Sequence, residues 1–146
     1  MPTLHTSIGP FSPGIFSTKC GTGQAIAVNP DGSLAGPEGS IPGVTAHAAK
    51  VGDSIIIFAT GLGAVSPAVS NGVTPGHAVR TTIARPTVLI GGRSAQVTFS
   101  GLAPEFVGVN QINVIVPAVG PGVVPLQIEL PRIRTTGKVT IAVRNP

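Results

Sequence analysis

The residues that could carry out chemistry are few in this sequence and are scattered along it. The candidate nucleophiles and metal ligands include one cysteine and three histidines, which are Cys20, His5, His47 and His77. The histidines lack the short spacings of metal ligands, and one cysteine cannot form an intrachain disulfide. The Gly-x-Ser-x-Gly motif is absent. The sequence therefore predicts no catalytic residue, no cofactor, no metal site and no enzyme, although residue order alone does not decide whether a Ser/His/Asp triad assembles.

Two short motifs could be taken for ligand sites. Asn29, Asp31 and Ser33 alternate as the oxygen ligands of a calcium loop would, but no acidic residue closes such a loop. Gly61 and Gly63 follow an apolar run, but the third glycine of a dinucleotide-binding fingerprint and its distant acid are missing. We expect an Asx-type turn at the first place and a tight turn at the second.

Basic residues outnumber acidic ones by nine to five, which gives a formal net charge of +4. Such residues could bind phosphate or acidic glycans, or they could form a solvated basic rim. The chain has no Tyr and no Trp, so it offers few platforms for stacking bases, and no nucleic-acid partner is predicted. The basic residues gather in two places, Arg80, Arg85 and Arg93 near the middle and Arg132, Arg134, Lys138 and Arg144 near the C-terminus.

The stretch at 110–117 is the one around which the chain is organised. Ile112, Val114 and Val116 fall on one face, while Gln111 and Asn113 fall on the other. This period of two predicts a half-buried β-strand. The amides of this stretch either present a polar face to a glycan or bond to backbone and fix the strand register, and the second role is favoured.

Other short apolar runs, separated by turns that contain Gly and Pro, predict further strands. The run at 54–60 is continuous and should be buried on both faces. Gly91 and Gly92 join a hairpin, since a tight turn requires positive φ. The segment 46–50 could form a single helical turn. Together the runs predict an all-β fold, an immunoglobulin-like two-sheet β-sandwich of about eight or nine short strands.

The predicted domain covers residues 13–146, and residues 1–12 are expected to form an extended N-terminal arm or edge strand. Leu4, Thr6 and Ile8 alternate along this arm, so it could add as a strand to the edge of a neighbouring copy. No apolar run approaches the roughly 18 residues that a membrane-spanning helix needs, and no insertion into a membrane is predicted. The start of the chain shows no signal-peptide pattern.

Two long loops are the expected contact surfaces, because loops of unusual length are often functional. They cover residues 34–50 and 61–86. The candidate contact residues lie in the second loop and are Ser66, Asn71, His77 and Arg80.

Several of these motifs resemble the uncharacterised Solibacter-type C-terminal domain family. The similarity begins at Pro13-Gly14-Ile15-Phe16 and covers roughly residues 13–146. The family's Val-Gly-x-Asn-Gln-x-Asn-Val-x-Val-Pro signature is present from Val107 to Pro117. Lys19-Cys20 and the basic turn at 131–138 are not part of the family pattern. The resemblance implies an immunoglobulin-like module of secreted or surface proteins of soil bacteria, and it implies no reaction.

The leading hypothesis is a non-catalytic module for adhesion, spacing or attachment outside the cell or at its surface. The alternative is a structural subunit that assembles into a fibre or surface layer through its N-terminal arm. A glycan-binding module or a small hydrolase is a third class. The expected partners are other proteins or copies of the same chain, with surface polysaccharide as a further partner class.

Overall fold

The computed structural model describes residues 11–19, 22–66, 80–104, 106, 108–135 and 138–146. These residues form β-strands, turns and loops, and no helix occurs among them, so the all-β prediction is confirmed. Fifteen strands are present where eight or nine were expected. Many of them are only two residues long, which is too short for a periodicity to be visible in the sequence. The strands are β1 Gly14–Ile15, β2 Gly23–Gln24, β3 Ala27–Val28, β4 Leu34–Ala35, β5 Ala46–His47, β6 Ala49–Lys50, β7 Ser54–Thr60, β8 Val65–Ser66, β9 Thr81–Thr82, β10 Thr87–Ile90, β11 Arg93–Leu102, β12 Asn110–Ile115, β13 Gly122–Leu130, β14 Ile133–Arg134 and β15 Val139–Arg144.

The strands form one hydrogen-bonded network in the order β2-β15-β13-β10-β11-β12-β7-β3-β4-β5. Most pairs are antiparallel, while β2 and β6 pair with β15 in parallel and β4 pairs with β5 in parallel. Two long strands change partner along their length. β11 pairs first with β10 and from Gln96 onward with β12, and β13 pairs first with β15 and from Leu126 onward with β10. These changes of partner let the network turn corners.

The network curls until its two ends are joined by short segments of chain. Residues 23–28 form the first bridge, because β2 pairs with β15 at one end of the order and β3 pairs with β7 toward the other. Residues 46–50 form the second bridge, because β5 pairs with β4 while β6 pairs with β15. We call these two segments the closing segments. They hydrogen-bond to the outer edges of β15 and β7, so that these edges are paired, as a buried sheet edge requires.

A single hydrophobic core lies inside the curled sheet and draws on strands from the whole order. The organising strand β12 contributes Ile112 and Val114, and both are fully buried, as predicted. Ile55 and Ile57 from β7 pack in the same core as Ile141 from β15. Strands that lie far apart in the sheet order therefore meet across one core.

Three local predictions have different outcomes. The hairpin of β10 and β11 is confirmed, and its turn residues Gly91 and Gly92 have φ of 60° and 83°. The prediction that 54–60 is buried on both faces is wrong, because only alternate residues of β7 are fully buried. The predicted helical turn at 46–50 is also wrong, because this segment pairs with β4 and β15 as the second closing segment.

Most of the predicted N-terminal arm lies outside the described residues, which begin at Phe11. The backbone N–H of Ser12 donates to the carbonyl of Gly61 at 2.9 Å. Gly61 has a φ of 76°, and a side chain there would overlap the backbone of Ser12. Glycine is therefore required where the chain enters the domain against the end of β7.

Candidate functional site

The residues predicted to contact a partner are only partly described. Leu4, Thr6, Ile8, Asn71 and His77 lie outside the described residues.

The two contact candidates that the structure describes are Ser66 and Arg80. Ser66 is exposed at the end of β8. Arg80 is half-buried, and its carbonyl accepts a hydrogen bond from the N–H of Leu102. Two buried nitrogens of its guanidinium have no hydrogen-bond partner. Ser66 pairs with Thr81, the chain neighbour of Arg80, so the pairing of β8 with β9 brings the backbones of these two predicted contact residues close together.

A polar cluster lies where the turn after β3 meets β5. Asp31 Oδ2 is 2.7 Å from His47 Nε2, and Asp31 Oδ1 accepts from the N–H of Ser33 at 3.0 Å. The hydroxyl of Ser33 also donates to this carboxylate. A carboxylate that binds the N–H two residues further on defines an Asx turn, so the predicted turn is confirmed.

Asn29 fixes this turn to the second closing segment. Its Nδ2 lies 3.1 Å from Ser33 Oγ, 3.3 Å from the carbonyl of Leu34 and 3.1 Å from the carbonyl of His47. Asn29 is only 4% exposed, so these bonds satisfy a buried donor that would otherwise be costly. The amide therefore links the end of the first closing segment to the second.

The order of contacts argues against a hydrolytic triad. In a triad the histidine stands between the nucleophile and the carboxylate. Here the carboxylate of Asp31 stands between Ser33 and His47, and the serine hydroxyl donates to the carboxylate. His47 is therefore not placed to remove the proton of Ser33. The arrangement holds two chain segments together instead of activating a nucleophile.

Electrostatics reinforce the Asp31–His47 contact. The hydrogen bond from His47, followed by those from Ser33, lowers the pKa of Asp31 well below its usual range. The hydrogen bond to Asp31, followed by that between Nδ1 and the carbonyl of Ala48, raises the pKa of His47 above 6.5. Both ring nitrogens of His47 face acceptors, which favours the imidazolium.

A second feature is an apolar groove on the outer side of the sheet, which we call the aromatic groove. It has a volume of about 320 Å³ and is lined by Phe16, Ile26, Phe58, Phe106 and Val109. Phe16 is 41% exposed and Phe106 is 58% exposed. All of the lining residues are apolar, and three of the five phenylalanines of the chain meet here.

Backbone pairing places three of these side chains together. The N–H of Phe16 donates to the carbonyl of Phe58 at 3.0 Å, and the N–H of Phe58 donates to the carbonyl of Ile26 at 3.3 Å. Because Ile57 and Ala59 point into the core, alternation along β7 turns Phe58 outward.

The other wall of the groove comes from the loop between β11 and β12, which carries Phe106 and Val109. The hydroxyl of Thr60 donates to the carbonyl of Gly108 at 3.4 Å. This bond ties the loop to the end of β7. The groove was missed in the sequence because its residues come from four separated stretches.

The amides of the organising strand bond within the domain. Asn110 is buried, and its Oδ1 accepts from the N–H of Leu62 at 3.3 Å. Gln111 Nε2 donates to Asn113 Oδ1 at 3.0 Å. These contacts agree with the favoured structural role and hold the turn after β7 against β12.

Another cleft, with a volume of about 320 Å³, adjoins the described part of the second predicted contact loop. The hydroxyls of Thr82 and Ser100 are buried and lie 2.8 Å apart. They satisfy each other, which leaves few free polar groups for a ligand. The cleft is lined by Thr81, Thr82, Ile83, Arg85 and Ser100.

Neither a metal-ligand cluster nor a known relative points to a further site in the described part of the chain. Within the described residues, no group of three or more His, Cys, Asp or Glu side chains could hold a metal ion. The same part of the chain contains no helix that is long and apolar enough to cross a membrane. No family model, no curated protein and no solved structure matches the chain.

The Asp31–His47 contact predicts a stability that depends on pH. The raised pKa of His47 contributes stability below pH 6.5, which is lost as pH rises through that raised pKa. The lowered pKa of Asp31 contributes stability above pH 3.8, which is lost as pH falls through that lowered pKa. The pair therefore stabilises the fold most between pH 3.8 and 6.5.

We expect Asp31→Asn to lower the melting temperature most in this window and less as pH rises through the raised pKa of His47, where the imidazolium loses its proton. Thermal unfolding followed by circular dichroism at a series of pH values measures the difference between the two proteins. Glu38→Gln, in the exposed loop between β4 and β5, is the control and should show no such dependence on pH. An effect of Asp31→Asn that stays constant from about pH 5 to pH 9 would contradict the electrostatic account.

Proposed function

We propose that this chain is a non-catalytic interaction module for adhesion, spacing or attachment. The observation that carries the proposal is the aromatic groove, in which exposed Phe16 and Phe106 flank Phe58 without a polar lining residue. Contiguous exposed apolar surface is typical of sites that bind other proteins. An extracellular or cell-surface location is part of the proposal and is supported by the resemblance of residues 13–146 to the Solibacter-type family.

The finer architecture that we propose is an immunoglobulin-like sandwich of two layers. Its support is the single core, which β7 and β12 cover from one side while β13 and β15 contribute Ile128 and Ile141. The corners that β11 and β13 make are the places where strands of such a sandwich pass from one layer to the other.

An extended apolar protein segment is the partner chemistry that fits the groove. Fully burying a phenylalanine side chain stabilises a complex by about 1.5 to 3 kcal/mol, and aromatic anchors dominate many interfaces. A segment with apolar residues at alternate positions would present one face to Phe58 and Phe106 while its polar face stays in solvent. The groove holds no charged residue that a charged partner could pair with.

We expect the domain to select peptides with alternating apolar residues from a displayed random library of peptides of about twelve residues. Phe106→Ser should weaken binding of the selected peptides at least about tenfold, because it removes an exposed aromatic anchor. Fluorescence anisotropy of labelled peptides measures the affinity.

Ile83→Ser is the matched control for the peptide experiment. Ile83 is 70% exposed but does not line the aromatic groove, so this variant should bind as the wild type does. If no peptide is enriched, or if both variants lose binding equally, the groove is not the binding site and the proposed function fails.

Self-assembly into a fibre or surface layer is a second candidate function, and one observation favours it. The described chain begins beside the groove, since Ser12 bonds to Gly61 at the end of β7. Residues 1–10 precede this point, and ten extended residues could reach about 33 Å. Leu4 and Ile8 would supply apolar side chains to the groove of a neighbouring copy.

If self-assembly is the function, analytical ultracentrifugation should show association that grows with protein concentration. Leu4→Ser combined with Ile8→Ser should abolish it by removing the apolar side chains that would enter the groove. His5→Ser is the control, because alternation along an extended arm would turn position 5 away from the face that carries Leu4 and Ile8. A wild-type chain that sediments as a 14.5 kDa monomer at every concentration contradicts self-assembly. The peptide experiment tests the first proposal independently of this result.

A further inference from the structure

The tip of the hairpin formed by β13 and β14 has an unusual backbone. Leu130 pairs with Ile133, so the loop consists of Pro131 and Arg132 alone. Arg132 has a φ of 67°, and it is the one non-glycine residue with positive φ in the described part of the chain. Proline followed by a residue with positive φ is the pattern of a type II turn, whose third position favours Gly or Asn.

An arginine at this position costs stability. A non-glycine residue in the left-handed region carries backbone strain. The turn would form more easily with Gly or Asn, yet the chain has Arg132, whose side chain is exposed. Strain of this kind is often found at binding sites.

The hairpin tip borders a cleft of about 360 Å³ lined by Glu129, Leu130, Arg132, Ile133 and Arg134. Arg134 lies 3.5 Å from Glu129. The side chain of Arg134 is 66% exposed and that of Glu129 is 37% exposed, so solvent and counterions weaken this pair. Arg132 has no ion-pair partner among the described residues. The cleft therefore carries a surplus of positive charge.

The strand beyond the tip is held in place by a side chain. The hydroxyl of Thr135 accepts from the N–H of Ile128 at 3.0 Å, and the N–H of Thr135 donates to the carbonyl of Ile128 at 3.0 Å. Gln127 Nε2 donates to the carbonyl of Thr135 at 3.3 Å. The two arginines therefore project from an ordered hairpin, which lowers the entropic cost of binding.

We propose that this basic hairpin tip binds an acidic polysaccharide that carries carboxylate or sulfate groups. Arg132 and Arg134 would each offer a planar set of donors that matches such oxyanions. Between them Ile133, which is 41% exposed, presents apolar surface to the C–H groups of a sugar ring.

The chemistry of the cleft favours a polysaccharide over nucleic acid. No aromatic residue lines the cleft, so it lacks the stacking platform that single-stranded nucleic acid requires. The site also lies apart from the aromatic groove, because the two share no lining residue. It is therefore a second binding surface, and it does not rest on the proposed function.

The test is titration of the full chain with fluorescently labelled polygalacturonate, dextran sulfate and neutral dextran at an ionic strength of about 0.15 M. We expect at least one acidic polymer to bind and neutral dextran not to bind. Arg132→Asn combined with Arg134→Gln should weaken this binding at least about tenfold. Asn accepts positive φ, so the double variant should still fold, which thermal unfolding checks.

A matched control separates a local site from general attraction. Arg85→Gln combined with Arg93→Asn removes the same charge from exposed positions outside the cleft and should change affinity less than about twofold. Equal losses in both double variants, or no binding of either acidic polymer, would overturn the proposal. Tighter binding of double-stranded DNA, lost in the same hairpin variant, would also overturn it by identifying a phosphate backbone as the ligand. Comparison of the two acidic polymers distinguishes carboxylate from sulfate.

Discussion

The pairing of backbone groups at the two ends of the curled sheet is the constraint on which the rest of the structure depends. A sheet that wraps around one core brings its ends together, and unpaired N–H and C=O groups there would be costly. The closing segments 23–28 and 46–50 solve this problem with strand pairings of only two residue pairs each. Ala25 shows the principle, since its N–H donates to Thr140 while the next residue accepts from Phe58.

Closure also decides which side chains remain outside. Once Ile55 and Ile57 are committed to the core, Phe58 must face outward on β7. The first closing segment then places Ile26 beside it. The aromatic groove is thus a consequence of the same pairing that completes the sheet. The Asp31–His47 contact serves this closure too, because it joins the turn after the first closing segment to the second.

The sequence predicts those elements whose pattern is local. The alternation at 110–117 correctly predicted a strand, and Gly91-Gly92 correctly predicted a hairpin turn. Both structures depend on residues that are neighbours along the chain. The segment 46–50 could not be recognised as strand, because its pairing partners lie elsewhere and its own residues favour no period. Because the run at 54–60 is continuously apolar, the sequence did not indicate which face of β7 is buried. The aromatic groove depends on the face that stays outside. Nothing in the sequence indicated that His47 contacts Asp31, because only the parallel pairing of β4 with β5 brings the two residues together.

Amide hydrogen exchange measured by nuclear magnetic resonance tests closure most directly. The N–H of Ala25 donates to Thr140 at 2.9 Å and that of Val51 to Arg144 at 3.1 Å, so these two amides report on how each closing segment is held against β15. If both closing segments are integral to the fold, these amides should exchange within about tenfold of the rate of the amides of β12, through global unfolding. Exchange of Ala25 and Val51 at the rate of exposed loops, with β12 still protected, would show an open sheet and contradict the account.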